Sequence, residues 1–110
     1  MEHLIKLTVK LIKMKLTTTQ INQIKTFFAD KPVKKVYIFG SYARGEADEN
    51  SDVDLLIDWD YTKHIGLNYV FWKEEIKIIL HKEVDFVSVN YIAPFIEEYI
   101  NKDKKLIYEA

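Results

Sequence analysis

The sequence contains no cysteine and no excess of positive charge. Without cysteine the chain forms no disulfide, and it has no thiolate to act as nucleophile, zinc ligand or iron–sulfur ligand. Its 16 Lys and Arg residues face 17 Asp and Glu residues, which gives a formal net charge of −1. Because proteins that hold a long nucleic acid usually carry a clear positive excess, this balance argues against nucleic acid as the main ligand.

Long apolar runs and chain-breaking residues are also scarce. No stretch approaches the roughly 18 consecutive apolar residues of a membrane span, and residues 2–16 lack the order of a secretory signal. We therefore expect a cytoplasmic protein with no membrane partner. The 110 residues, 48% of them hydrophobic, are interrupted by only three Gly and two Pro, which predicts one ordinary folded domain.

Apolar periodicity and turn residues predict the order of the secondary-structure elements. They are a helix over 18–30, strands over 33–39, 53–59 and 83–89, a helix over 67–81, a helix from Pro94 to about Asn101, and an apolar tail at 106–108. The tail either forms a fourth strand or packs on the sheet. Residues 3–16 fit strand and helix periods equally well, so we treat residues 1–15 as an N-terminal extension of open structure and residues 16–110 as the domain.

Several local signals support these boundaries and a core. Thr17 and Gln20 fit a capping box at the start of the first helix, and Pro32 is expected to end that helix. The β-prone run at 36–39 predicts a strand buried on both faces. In the helix over 67–81 the expected buried positions are Leu67, Val70, Phe71, Ile78 and Ile79.

Five aromatic residues in the second half of the chain admit two interpretations. They could form an interface for a partner, where Tyr and Trp are enriched, or they could pack against the sheet. We favour packing for most of this set, which comprises Tyr61, Tyr69, Trp72, Tyr91 and Tyr99.

A Gly-Ser pair directly after a predicted strand indicates an anion site. Gly40 lets backbone N–H groups approach a ligand closely, and Ser41 supplies a hydroxyl at the start of a short helical turn. Arg44 adds a planar cation that can pair with phosphate oxygens. This combination suits a triphosphate, although a Gly-Ser pair after a strand is by itself more often a simple turn.

Asp52 and Asp54 flank Val53 at the start of the next predicted strand. Since side chains alternate along a strand, both carboxylates point to one face, with Cα atoms roughly 6.5–7 Å apart. That span can bracket one or two divalent ions, typically about 3.5–4 Å apart, and oxygen ligands suit Mg²⁺ or Mn²⁺. An exposed edge strand with polar residues facing solvent is the plain structural alternative.

Asp85 lies in an apolar, β-prone run, where an unpaired carboxylate is costly. A metal shared with a neighbouring strand would compensate it, whereas an exposed edge position is the structural alternative. Glu83 has the same parity and is the substitute candidate. Asp58 shares the face of Asp54, but it lies roughly 13 Å along the strand and is expected to meet solvent.

Together these features fit one task, which is to hold a metal–triphosphate and transfer a nucleotidyl group from it. The three histidines, His3, His64 and His81, lie away from the motif in sequence, and we interpret them as surface residues.

The motif is similar to that of a known family. Residues 40–45, GSYARG, followed by residues 51–55, SDVDL, resemble the signature of the minimal nucleotidyltransferases of the polymerase-β-like superfamily, over about residues 16–108. The resemblance implies an α+β fold, with a mixed β-sheet and helices packed mainly on one face. It also implies that Gly40 and Ser41 bind the β- and γ-phosphates of ATP, the family's usual donor.

The same resemblance implies roles for the remaining site residues. Asp52 and Asp54 would hold two Mg²⁺ ions, with Mn²⁺ as a substitute. Asp85 would complete the metal site and help to deprotonate the attacking hydroxyl. Arg44 would neutralise phosphate charge, and Ser51 would orient Asp52 through a hydrogen bond.

Family members of this length typically lack the additional domain with which larger relatives bind their acceptors, so the resemblance implies a homo- or hetero-oligomeric partner. The favoured partner is a HEPN ribonuclease toxin, with the chain as antitoxin transferring AMP to a toxin tyrosine. One alternative is transfer to a small molecule such as an aminoglycoside. Another is a non-catalytic module that neutralises its partner by contact alone.

Overall fold

The computed structural model describes residues 14–110. The elements in chain order are α1 (Thr18–Phe28), β1 (Val33–Phe39), α2 (Ser41–Arg44), β2 (Val53–Trp59), α3 (Asn68–Leu80), β3 (Val84–Ser88), a 3₁₀ turn (Val89–Tyr91), α4 (Pro94–Asp103) and β4 (Lys105–Glu109). The first 13 residues of the predicted N-terminal extension, with His3, lie outside the described residues. No helix in the described range is long and apolar enough to cross a membrane.

The four strands form one mixed sheet in the order β3-β2-β1-β4. β1 runs antiparallel to both β2 and β4, whereas β2 and β3 are parallel. The apolar tail at 106–108 is part of a fourth strand, β4, which pairs with β1 along its length. The mixed sheet and its helices confirm the predicted α+β fold.

One face of the sheet carries the core. Val53, Leu55 and Ile57 of β2 are fully buried and Trp59 is 4% exposed, as their alternation predicted. Phe28 of α1 packs on this face, with its ring centroid 5.9 Å from that of Phe86. Helix α3 joins it through Trp72, whose ring stacks on Trp59 at 5.8 Å. The cluster therefore fixes α1 and α3 on the same side of the sheet.

The ends of the predicted elements shift by a few residues. The capping box is present, since Thr17 Oγ1 accepts from Gln20 N–H at 3.0 Å and Gln20 Oε1 accepts from Thr17 N–H at 2.9 Å. Helix α1 ends at Phe28, two residues before the predicted boundary, and Ala29 caps it. α3, β3 and α4 differ from their predicted bounds by similar amounts.

The predicted buried face of α3 is wrong. Ile76 and Leu80 are its buried residues, whereas Leu67, Phe71 and Ile78 are 74%, 66% and 73% exposed. Val70 and Ile79, also predicted to be buried, are exposed at 44% and 37%. Apolar residues lie on more than one side of this helix, so periodicity alone could not select the covered side.

Two further burial predictions are corrected. Tyr37 and Phe39 of β1 are only half-buried, so the strand is buried on one face rather than both. Of the five aromatic residues expected to pack on the sheet, four are exposed, and Trp72 is the one that packs there. The exposed residues are Tyr61, Tyr69, Tyr91 and Tyr99.

Candidate active site

The sheet face opposite the core brings predicted site residues together in one row. Phe39 of β1, Asp54 of β2 and Asp85 of β3 are direct neighbours in the strand register. Because cross-strand partners point to the same face, the carboxylates of Asp54 and Asp85 stand side by side. Asp52 is exposed and immediately precedes β2. The three predicted carboxylates therefore lie at the same end of two adjacent strands.

The neighbouring negative charges affect the pKa of Asp54. Partial burial, followed by the charges of Asp85 and Asp52, raises its pKa from 3.8 to about 6. Arg44 acts in the opposite direction and lowers the pKa of this carboxyl. Asp54 is thus the half-buried member of the site, and its two acidic neighbours are more exposed.

Gly40 places the turn between β1 and α2 directly against Asp54. Its φ is 73°, a region that favours glycine, and a Cβ built on it would collide with Asp54 Oδ2. Helix α2 starts at the next residue, Ser41, and ends at Arg44, with Gly45 as its C-cap. The absence of a side chain at Gly40 therefore lets the predicted phosphate turn and the predicted metal ligand touch.

Arg44 is held in place by two carboxylates. Its Nε donates to Glu46 Oε2 at 3.0 Å, and its Nη1 donates to Asp103 Oδ2 at 3.1 Å. Asp103 is the last residue of α4, so this ion pair ties that helix to the Gly-Ser turn. No local signal in the sequence points to Asp103, because 59 residues separate it from Arg44.

Lysines from α3 reach the carboxylates of β3 and of the residue before it. Lys73 Nζ lies 3.9 Å from Asp85 Oδ1, and Lys77 Nζ lies 3.1 Å from Glu83 Oε2. Glu83, the substitute for Asp85, is therefore occupied by a lysine, whereas Asp85 stands in register with Asp54. Our interpretation of the sequence missed Lys73. The signal that the sequence offered was the position of Lys73 in the helix that precedes β3.

Two residues on the edge of the motif have other partners. The Ser51 hydroxyl accepts from Asp48 N–H at 2.9 Å and lies 3.2 Å from Asp48 Oδ1. It therefore closes the loop before β2, and the implied hydrogen bond to Asp52 is not seen among the described residues. Asp58 stands opposite Lys35 in the register, away from the carboxylate row, and is half-buried.

The described carboxylates do not converge on a single point. Among residues 14–110, no three His, Asp or Glu side chains lie close enough together to hold one metal ion. The donor chemistry nevertheless fits divalent cations of the Mg²⁺ class, which prefer oxygen ligands. The raised pKa of Asp54 marks a repulsion between Asp54, Asp85 and Asp52 that such a cation would relieve.

An open depression of about 640 Å³ adjoins this carboxylate row. Ser51 and Asp52 line it on one side, and Lys77, Ile78 and His81 of α3 and its cap line it on the other. His81 and His64 are both exposed, as predicted. The depression is large enough to admit part of a substrate beside Asp52.

Known proteins similar to this chain agree with the fold and the motif. The family model described as "Polymerase beta, Nucleotidyltransferase" matches residues 22–110. The Methanocaldococcus jannaschii protein named "Putative protein adenylyltransferase MJ1379" is 34% identical over 99 residues, covering 84% of this chain and 97% of that protein.

Two solved structures are similar in backbone. One, described as "putative minimal nucleotidyltransferase", has 30% identity and a TM-score of 0.68, covering 79% of this chain and 88% of that one. The other contains a tri-AMPylated Shewanella oneidensis HEPN toxin in complex with MNT antitoxin. It has 15% identity and a TM-score of 0.66, covering 86% of this chain and 74% of that one, and at that identity it supports the fold alone. Matched over most of its length, the chain belongs to the polymerase beta nucleotidyltransferase family and is a nucleotidyltransferase.

Proposed function

We propose that this chain is an antitoxin that transfers AMP from ATP to a tyrosine hydroxyl of a HEPN-type toxin. The name of the Methanocaldococcus jannaschii relative supports a protein acceptor for the adenylyl group. The Shewanella oneidensis complex, in which a HEPN toxin carries AMP beside an MNT antitoxin, supports the class of acceptor. One observation in this chain carries the proposal, and it is the contact between Gly40 and Asp54 beside the Asp54–Asp85 pair.

In this proposal the Gly40–Ser41 turn binds the β- and γ-phosphates of ATP, and Arg44 neutralises phosphate charge. Arg44 lies close enough to Asp54 to lower the pKa of that carboxyl, and phosphate oxygens would compete with Glu46 and Asp103 for its guanidinium. Asp52, Asp54 and Asp85 would hold Mg²⁺ or Mn²⁺, and Ser51 would stabilise the loop that carries Asp52. Two such ions, when bound, supply activation of the acceptor hydroxyl and charge stabilisation at the leaving pyrophosphate.

The residues of the chain then perform the following chemistry. Asp85 accepts the proton of the tyrosine hydroxyl, and its exposed position at the edge strand β3 leaves room for that hydroxyl to approach. A bond forms between the tyrosine oxygen and the α-phosphorus. The bond from that phosphorus to the bridging oxygen breaks in line with it, and pyrophosphate leaves with the electron pair. No covalent intermediate on the protein is required.

The test is transfer of label from α-labelled ATP, with Mg²⁺, to proteins of a lysate of the source cells. Asp52→Asn removes a carboxylate of the site, and Asp58→Asn removes one from the same strand face four residues beyond Asp54. We expect label on a protein of toxin size with the native chain and with Asp58→Asn, and about a hundredfold or greater loss with Asp52→Asn.

Other outcomes would contradict the proposal. Pyrophosphate release that depends on a small-molecule fraction, without labelled protein, would indicate a small acceptor. Binding of ATP without any transfer, together with neutralisation of the toxin by Asp52→Asn, would indicate a contact-only antitoxin.

A further inference from the structure

Lys73 is the cationic side chain nearest to the carboxylate row. Within residues 14–110 it is the only Lys, Arg or His whose charged group lies within 4.0 Å of a carboxylate oxygen of Asp52, Asp54 or Asp85. Its Nζ is 3.9 Å from Asp85 Oδ1, which is longer than a hydrogen bond. An ammonium group has three N–H donors, and no residue of the described range accepts a hydrogen bond from this one.

The next lysine on the same helix is bonded differently. Lys77, one turn beyond Lys73, donates to Glu74 Oε1 at 3.2 Å and lies 3.1 Å from Glu83 Oε2. Hydrogen bonds to Glu83 and then to Glu74 raise the pKa of Lys77. Lys77 is thus committed to carboxylates outside the row, whereas the donors of Lys73 remain available beside Asp85.

Packing on both sides of Lys73 fixes where its ammonium can go. Trp72 stacks on Trp59 at 5.8 Å, and Ile76 is fully buried, so this turn of α3 is anchored to the core face. The side chain of Lys73 is 34% exposed, as expected for a stem that lies along apolar surface with its charged end in solvent. Because β3 is an edge strand, the long side chain passes that edge and reaches Asp85, whose carboxylate belongs to the opposite face.

The chemistry at Asp85 requires a cation on this side of the row. As Asp85 takes the proton of the acceptor hydroxyl, negative charge develops on the acceptor oxygen beside three carboxylates. Such charge is stabilised by a hydrogen-bond donor that is already in place, and most strongly by a charged one. Arg44 is bonded to Glu46 and Asp103 on the side of the Gly-Ser turn, which leaves the edge of β3 to Lys73.

We propose that Lys73 is a further catalytic residue, which donates a hydrogen bond to the acceptor oxygen and holds it beside Asp85 during the transfer. The inference rests on the proposed function and adds to it the group that binds the acceptor. Lys73 keeps its own protons throughout. The proton of the hydroxyl goes to Asp85, the oxygen forms its bond to the α-phosphorus, and pyrophosphate leaves with the electron pair of the bond that breaks.

Lys73→Met tests this role, because it keeps much of the apolar stem and removes the ammonium. We expect the initial rate of protein labelling from α-labelled ATP, with Mg²⁺ and a lysate of the source cells, to fall at least about tenfold. Lys73→Arg, which retains a cationic donor, should recover most of that rate. Lys31→Met is the control, since it also removes an ion-paired lysine, at the end of β1 far from Gly40, and it should change the rate less than about twofold.

Calorimetric titration of each purified variant with ATP and Mg²⁺ separates this role from nucleotide or metal binding. The dissociation constant should not rise in Lys73→Met, because a cation beside a metal ligand repels Mg²⁺ rather than holding it. A rise in parallel with the loss of labelling would overturn the proposal, since Lys73 would then act on the nucleotide or the metal.

Two results of the labelling assay distinguish this inference from the proposed function. Equal labelling by the native chain and Lys73→Met would overturn the role of Lys73 while leaving the proposed function intact, and so would equal losses in Lys73→Met and Lys31→Met. If the native chain labels no protein, the proposed function itself fails, and the role of Lys73 toward a protein acceptor fails with it.

Discussion

The two faces of β2 differ in what they contribute to this protein. On the core face, Val53, Leu55, Ile57 and Trp59 are almost completely buried against α1 and α3. On the opposite face, the half-buried carboxylates of Asp54 and Asp58 flank the buried Leu56. One strand thus stabilises the fold through one face and presents chemistry through the other.

The two faces of β2 also differ in their effect on the stability of the fold. Burying apolar surface on the core face favours folding by roughly 25 cal/mol per Å². On the other face, partial burial and neighbouring charges raise the pKa of Asp54, which means that its ionised form is destabilised in the folded chain. A site that concentrates negative charge therefore reduces stability until a cation or substrate arrives.

The largest expected effect comes from the core face. Leu55→Ala removes a fully buried side chain from the centre of the cluster. We expect the free energy of unfolding to fall by about 3 kcal/mol, because the site loses transfer free energy and gains a cavity. Urea denaturation followed by circular dichroism measures it, and a loss below about 1 kcal/mol would show that this face is less tightly packed.

On the opposite face, Gly40→Ala should be the most damaging single change. The new methyl group would collide with Asp54 Oδ2, and the backbone φ of 73° would strain any residue other than glycine. We expect a loss of about 2 kcal/mol in the free energy of unfolding. Nucleotidyl transfer should be lost as well.

Gly45→Ala is the control for that variant. Gly45 has nearly the same φ, 72°, but a methyl group there would have no neighbour within 4 Å. It should cost about 1 kcal/mol and preserve transfer. If the two variants have equal effects, backbone strain at the positive φ, rather than the close approach to Asp54, is the reason for glycine at position 40.

Asp54→Asn should stabilise the protein at neutral and higher pH. The folded carboxyl has a pKa of about 6 against an ordinary 3.8, so the folded chain holds the proton more tightly. Stability therefore falls as pH rises from about 4 to about 6, and the variant escapes this loss. With allowance for solvent at a half-exposed group, we expect a gain of about 1–2 kcal/mol near pH 8.

Urea denaturation in the presence of a chelator, at about pH 3, 6 and 8, measures that gain. The difference between the native chain and Asp54→Asn should vanish at the lowest pH. Asp58→Asn, which removes a carboxylate from the same face, is the matched control. If the difference in the free energy of unfolding between the native chain and Asp54→Asn stays constant with pH, charge repulsion at Asp54 is not its cause.

The smallest effect is expected at the end of the core face. Trp59 Nε1 donates to Ser88 Oγ at 2.9 Å, and Trp59→Phe removes this bond while it retains an aromatic ring beside Trp72. The expected loss is about 1 kcal/mol. Ser88→Ala should cost a similar amount, and the double variant should cost little more than either one, which a double-mutant cycle would test.

The sequence predicted the bounds of β1 and β2 better than it predicted the buried side of α3. β1 and β2 have the bounds that were predicted, because alternation of apolar residues and the flanking Gly and Pro are local signals. The residues of the Gly-Ser turn and the Asp-Val-Asp pair are likewise local. Lys73 and Asp103 could not be found in this way, since each meets the site only through the packing of a distant helix.

By itself the sequence determined the family motif, the order of helices and strands, and the core face of β2, because each depends on spacing along the chain. Tertiary structure alone decided that Asp85 stands beside Asp54, through the parallel register of β2 and β3. It also decided which side of α3 stays exposed. Apolar residues lie on more than one side of this helix, and its packing against Trp59, β3 and α1 covers only the side of Ile76 and Leu80.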